Sequence, residues 1–161
     1  RAIWRVFGTE TRRLALDITE QEAFDPARGQ YNSVVILREV RRRVPGDALK
    51  LLALTGRDLF IPMLSFVFGQ AQLGGEAAIV SVARLRQEFY GLPADPALAT
   101  VRSAKEAIHE AGHTFGLTHC HDPSCPMAIA NGVIQADRKG EDLCASCRAA
   151  LGERLVATEF S

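Results

Sequence analysis

The stretch His109-Glu110-Ala111-Gly112-His113-Thr114-Phe115-Gly116-Leu117-Thr118-His119 decides how the rest of the chain is read. Its pattern is H-E-x-x-H-x-x-G-x-x-H. A helix turns about 100° per residue, so His109 and His113 lie on one face, one turn apart. Both imidazoles can then reach one Zn²⁺ at about 2.0–2.1 Å. Glu110, turned by about 100° from His109, stands at the edge of that face. This suits a group that touches water at a metal without ligating the metal itself. Gly116 permits the left-handed backbone that ends a helix, and the returning chain brings His119 round as a third ligand. Three protein ligands leave one position open, the mark of a catalytic rather than a structural zinc. Two histidines on a helix face would read equally well as packing. Gly116 and His119 at their spacing carry the metal reading.

The 161 residues fit one domain, large enough to bury a core without cross-links. The formal net charge of +0 gives no electrostatic capture of nucleic acid or of an anionic membrane. No apolar run approaches the ~20 residues that span a bilayer, and Leu59–Phe68 is broken by Pro62. No signal peptide is visible, because the start, Ala2-Ile3-Trp4-Arg5-Val6-Phe7, alternates like a strand. The absence of an initiator Met leaves room for a longer N-terminus. The expected setting is cytoplasmic.

Cys120, Cys125, Cys144 and Cys147 are the only cysteines, spaced C-x4-C and C-x2-C. Two disulfides are one reading of them. Nothing marks the chain as secreted, however, and its length makes staples unnecessary. A tetrahedral zinc with four thiolate ligands fits better.

Working outward from the motif, Asp95-Pro96 marks a helix start, Asp capping and Pro at the first position. Leu98, Val101, Ile108 and Phe115 share one face, so the zinc helix is expected over about 96–115. Upstream, Asn32 or Ser33 caps a helix reaching Arg43, with Val34, Ile36, Leu37 and Val40 on its apolar face. Its arginine run, 41–43, reads as a solvated helix end. Lys50–Thr55 reads as a strand, and Phe66–Ala71 and Ala77–Leu85 as a hairpin around Gly74-Gly75. Residues 12–24 give a weak helical or mixed signal, and 24–31 a turn-rich connection. After Gly116 the signals are poor until a helix over about 144–156. The order implies an α/β (α+β) fold: a twisted mixed sheet with an antiparallel edge strand, and helices packed on it. The long zinc helix forms the cleft floor. Phe66–Ala71 and Ala78–Leu85 compete for the rim, where an extended peptide adds as a strand.

The extended motif followed by Cys120, then Cys125-Pro126-Met127 and Cys144-x-x-Cys147, resembles the archaemetzincins, a family in the metzincin clan of zinc peptidases. Gln30-Tyr31-Asn32-Ser33, Asp58-Leu59-Phe60 and Phe66-Val67-Phe68-Gly69 are similar to that family too, so the resemblance covers most of the chain. It implies a compact metzincin-like domain over 1–161. Within it, an N-terminal part (1–116) would carry the sheet and zinc helix. A C-terminal part (117–161) would carry the third histidine, an irregular four-cysteine region and a terminal helix. It implies His109, His113 and His119 on a catalytic zinc, with Glu110 as general base. It further implies Cys120, Cys125, Cys144 and Cys147 on a second, structural zinc, and Met127 at the Met-turn. Peptide-bond hydrolysis of a peptide or protein substrate by a monomer, without nucleic acid or membrane, is the expected activity. A non-catalytic or latent zinc protein of the same fold is the alternative. One departure stands out: where several metzincins place a Tyr two residues beyond the Met, this chain has Ile129. Tyr31 and Tyr90 are distant in sequence, and His121 is a candidate oxyanion group only by nearness.

Overall fold

The computed structural model describes residues 1–18 and 20–159. Helix α1 (Ala2–Phe7) is followed by an irregular segment, a 3₁₀ turn at Gln21–Ala23 and short strands β1 (Phe24–Asp25) and β2 (Gln30–Asn32). Next come α2 (Ser33–Arg41), β3 (Leu51–Thr55), β4 (Leu59–Phe60), β5 (Gly69–Ala71) and β6 (Ala77–Ser81). Helices α3 (Pro96–Thr114), α4 (Val133–Arg138) and α5 (Ala145–Glu159) complete the described chain.

The mixed sheet is divided into two three-stranded pieces, β1-β2-β4 and β3-β6-β5. In the second, β3 runs parallel to β6 from Leu51↔Ala77 to Thr55↔Ser81, and β5 runs antiparallel to β6 from Gly69↔Val80 to Ala71↔Ala78. This ends the competition for the rim. β5 is the antiparallel edge, while β6 is central and buried along its whole length. Ala77 and Ile79 pack with Ile36, Leu37 and Val40 of α2, and Val80 packs with Phe68, Leu85 and Ala136. Successive strand residues face opposite ways, so the apolar run Ala77–Val80 of β6 reflects cover on both faces.

Asn32 caps α2 by accepting the Val34 N–H at 3.0 Å. Ser33 Oγ lies 3.1 Å from Phe60 O and 2.6 Å from Gln70 Oε1, tying the start of α2 to β4 and to the rim strand. Gln30 Nε2 donates to Asp58 Oδ2 and to Ser65 O, both at 2.9 Å. The upstream segments similar to the archaemetzincins are therefore one network that fixes β5.

Three expectations change. The start is helical: Ala2, Ile3, Val6 and Phe7 form a stripe at helical spacing that packs on Ile108, Ala111, Leu117 and Met127, while Trp4 is 61% exposed. Two adjacent apolar pairs four residues apart were the sign of that stripe. Second, α4 lies where no helix was expected; only Ala136 is buried in it, so its six residues carry no apolar periodicity. Third, Val101 is 37% exposed, and Arg102, Lys105 and Glu106 are buried in its place because α4 supplies partners to them. Residues 12–18 lack regular structure, and 24–32 form a small hairpin whose Asp25 side chain accepts the N–H groups of Ala27 and Arg28.

Candidate active site

Helix α3 begins as its sequence requires: Asp95 Oδ1 accepts the Leu98 N–H at 2.9 Å, and Pro96 occupies the first turn. It ends in a Schellman turn, with Leu117 N donating to Gly112 O and Gly116 N to His113 O, each at 2.9 Å. Gly116 takes φ +85°, a conformation that costs a side-chain-bearing residue strain. The turn does two jobs: it sends the chain back toward His119, and it presents the Leu117 carbonyl to His113 Nδ1 at 2.7 Å.

The three imidazoles converge. One ring nitrogen from each of His109, His113 and His119 lies within 4.8 Å of the others. His109 Nε2 and His113 Nε2 are 3.1 Å apart, and ring centroids of His109 and His119 are 5.3 Å apart. His109 Nδ1 meets Pro126 O at 2.8 Å. A carbonyl only accepts, so Nδ1 of His109 and of His113 each carries the proton, and each Nε2 keeps its lone pair for a metal. Burial holds His109 well below the ordinary imidazole range, reinforced by the Lys139 charge. Burial lowers His113 and His119 as well. The rings are thus neutral donors. Tetrahedral zinc with nitrogen ligands at about 2.0–2.1 Å needs them about 3.3 Å apart, so this donor set fits zinc.

Glu110 is 5% exposed and faces the rim strand. A Cβ built on Gly69 of β5 would lie 2.6 Å from both Cγ and Oε1 of Glu110, so only glycine leaves this carboxyl its place. Burial pushes the Glu110 carboxyl well above the usual carboxylate range; nearby Glu106 adds to this and Lys139 opposes it. Met127 is fully buried against Gly112, where a Cβ would run into its Sδ, and so packs against the helix backbone one residue before His113.

The four cysteines are free thiols whose sulfurs gather within 4.8 Å. Cys120 Sγ and Cys144 Sγ are 3.7 Å apart, close to the edge of about 3.8 Å that a tetrahedral zinc with Zn–S of about 2.3 Å imposes. Backbone N–H donation from Cys147 draws the Cys144 thiol down, while burial and the neighbouring thiols push Cys147 up. Cys120 N donates to Met127 O at 3.0 Å, binding the segment that follows His119 to the Met127 turn.

A profile of peptidase family M54 matches residues 13–153. The chain belongs to peptidase family M54. It is accordingly a zinc metallopeptidase, a hydrolase acting on peptide or protein substrates. Archaemetzincin from Methanocaldococcus jannaschii is 42% identical over 134 residues, which is 83% of this chain and 73% of that protein. The crystal structure of archaemetzincin from Methanopyrus kandleri superposes with a TM-score of 0.76 at 41% identity, covering 84% of this chain and 71% of that one. A zinc-dependent peptidase from Methanocorpusculum labreanum does so with a TM-score of 0.84 at 37% identity, covering 93% and 89%.

In this M54 chain sequence reasoning missed two side chains beneath the site. Lys139 Nζ donates to Glu106 Oε1 at 2.9 Å, and the two side chains are 1% and 3% exposed. Glu106 lies one turn before Glu110 on α3, a spacing that marks it as sharing that face. Lys139 comes from the end of α4, which nothing local announces. Arg102 clasps Asp137 through Nε and Nη2, both at 2.7 Å, and Lys105 Nζ donates to Asp137 O at 3.1 Å. These ties dock α4 on α3. His121 is exposed, and Tyr90 OH donates to Arg84 O.

Proposed function

We propose that this chain hydrolyses peptide bonds with His109, His113 and His119 as ligands of one zinc and Glu110 as the group that carries the proton. The convergence of one ring nitrogen from each of the three imidazoles beside a buried carboxyl on α3 supports this reading above all. A zinc held there supplies Lewis acidity toward water and toward a carbonyl oxygen. Glu110 takes a proton from the attacking water and delivers it to the leaving amine. A carboxyl whose proton affinity is raised by burial is suited to both halves of that transfer. Strand β5 lies over Glu110 with β6 as its one neighbour in the sheet, which supports docking of the substrate as an added antiparallel strand.

Cys120, Cys125, Cys144 and Cys147 hold a second zinc in this reading. Its role is structural, because four thiolates leave no open position. It clamps the irregular segment that delivers His119. Met127 provides an apolar floor under the imidazoles. Free thiols support a reducing, cytoplasmic setting, and the neutral net charge supports a peptide substrate rather than nucleic acid or a membrane. Among the described residues no helix is long and apolar enough to cross a membrane. The test is zinc content together with cleavage of a peptide library by the wild type and by Glu110→Gln. The expected result is bound zinc in both and turnover only in the wild type. Normal hydrolysis by Glu110→Gln ends the proposal.

A further inference from the structure

A concavity of about 310 Å³ opens directly beside the third imidazole. His119 stands at its edge, Pro123, Ala128 and Ile129 make an apolar wall, and Gln135 and Arg138 of α4 supply polar groups. Gln135 and Arg138 are three residues apart on a helix and so share a face. No carboxylate lines the space, and Arg138 is its one formal charge apart from any on the histidines. The acidic groups in the neighbouring sequence are already engaged. Asp137 is held by Arg102, Glu106 by Lys139, Glu141 and Asp142 by Arg5, and Asp122 by the Ser124 N–H and hydroxyl. The Arg138 side chain has no hydrogen bond or ion pair among the described residues.

We propose that this pocket receives an acidic substrate side chain next to the bond being cut, and that Arg138 selects it. The inference rests on the peptidase reading above and names its substrate class. The apolar wall takes the methylene stem of a glutamate while the guanidinium meets the carboxylate, whose planar fork it matches in two parallel hydrogen bonds. A neutral glutamine of the same shape keeps the stem contact and loses the charge. A lysine meets a like charge.

The test uses zinc-loaded protein and C-terminally amidated peptide pairs that differ only by Glu or Gln at each position flanking the cleaved bond. At low salt the Glu peptide is favoured in kcat/KM about fivefold at one position, the size of an exposed ion pair, and the difference lies in KM. In Arg138→Gln the ratio falls to about one, and in Arg138→Glu the preference turns to Lys, as like charge now opposes Glu. Salt at 0.5 M, through screening, compresses the wild-type ratio. A role confined to folding leaves the ratio unchanged, because it is read within each protein. Equal cleavage of Glu and Gln peptides by the wild type, or a preference that survives Arg138→Gln, overturns the pocket assignment and leaves the peptidase reading standing. Should no peptide be cleaved, that reading fails by itself. Fluorescence anisotropy with the same peptides then decides: tighter binding of the Glu peptide, lost in Arg138→Gln, supports the pocket, and equal binding overturns it.

Discussion

Replacing Gly69 by Ala tests whether the rim strand sets the position of Glu110. The added Cβ would stand 2.6 Å from Glu110 Cγ, from Glu110 Oε1 and from Ile79 O, where ordinary contact is 3.4–4 Å. Ile79 O belongs to the central strand β6, paired with Gln70, and moves only if the sheet shears. Relieving that backbone contact requires β5 to shift off β6, and the Glu110 side chain must give by about 1 Å as well, a misplacement worth on the order of 100-fold in rate. That corresponds to about 2.7 kcal/mol of barrier. His109 and His113 are anchored through their own carbonyl partners, so zinc content should hold. Crowding should cost about 1–3 kcal/mol of stability. The assay is steady-state cleavage of a fluorogenic peptide, with zinc per chain and urea unfolding measured on the same preparation. A kcat/KM within about threefold of wild type, or a rate loss that merely tracks zinc loss, refutes the reasoning.

Lys139→Met strands a buried carboxyl at Glu106 and should destabilise by about 3–5 kcal/mol in urea titrations. Glu106→Leu in the same chain should recover most of it, and a double variant as unstable as the single one contradicts the pairing. Cys144→Ser should lose the metal of the thiol cluster and also weaken metal binding at the imidazoles, through the Cys120 N to Met127 O link beside His119; unchanged affinity in chelator competition denies that coupling. In metal-free protein the folded-state pKa values of His109, His113 and His119 are lowered, so the unfolded chain binds protons more readily. Their contribution to stability is complete above about pH 6.5 and is lost as pH falls through the lowered folded-state values. Tm should be flat on the alkaline side and fall with acid, and zinc loading should shift it upward most near neutral pH; a Tm that rises on acidification contradicts the neutral-ring assignment.

What the sequence determined is the part of the molecule where function and local geometry obey the same spacing rule. His109 and His113 are one turn apart, Gly116 ends the helix, and His119 follows within reach, so the site is nearly local. Asp95-Pro96 and Asn32 cap their helices through neighbours two or three residues away, and both starts were legible for that reason. Tertiary structure alone decided which strand forms the rim, since Phe66–Ala71 and Ala77–Ser81 look alike until β3 claims one side of β6. It also decided the burial of Arg102, Lys105 and Glu106. A charged side chain is recorded in sequence as surface, and only a partner brought from α4, more than thirty residues on, reverses that cost. The same holds for Gly69: its need to be glycine comes from Glu110 forty-one residues away, a contact that no local pattern can encode.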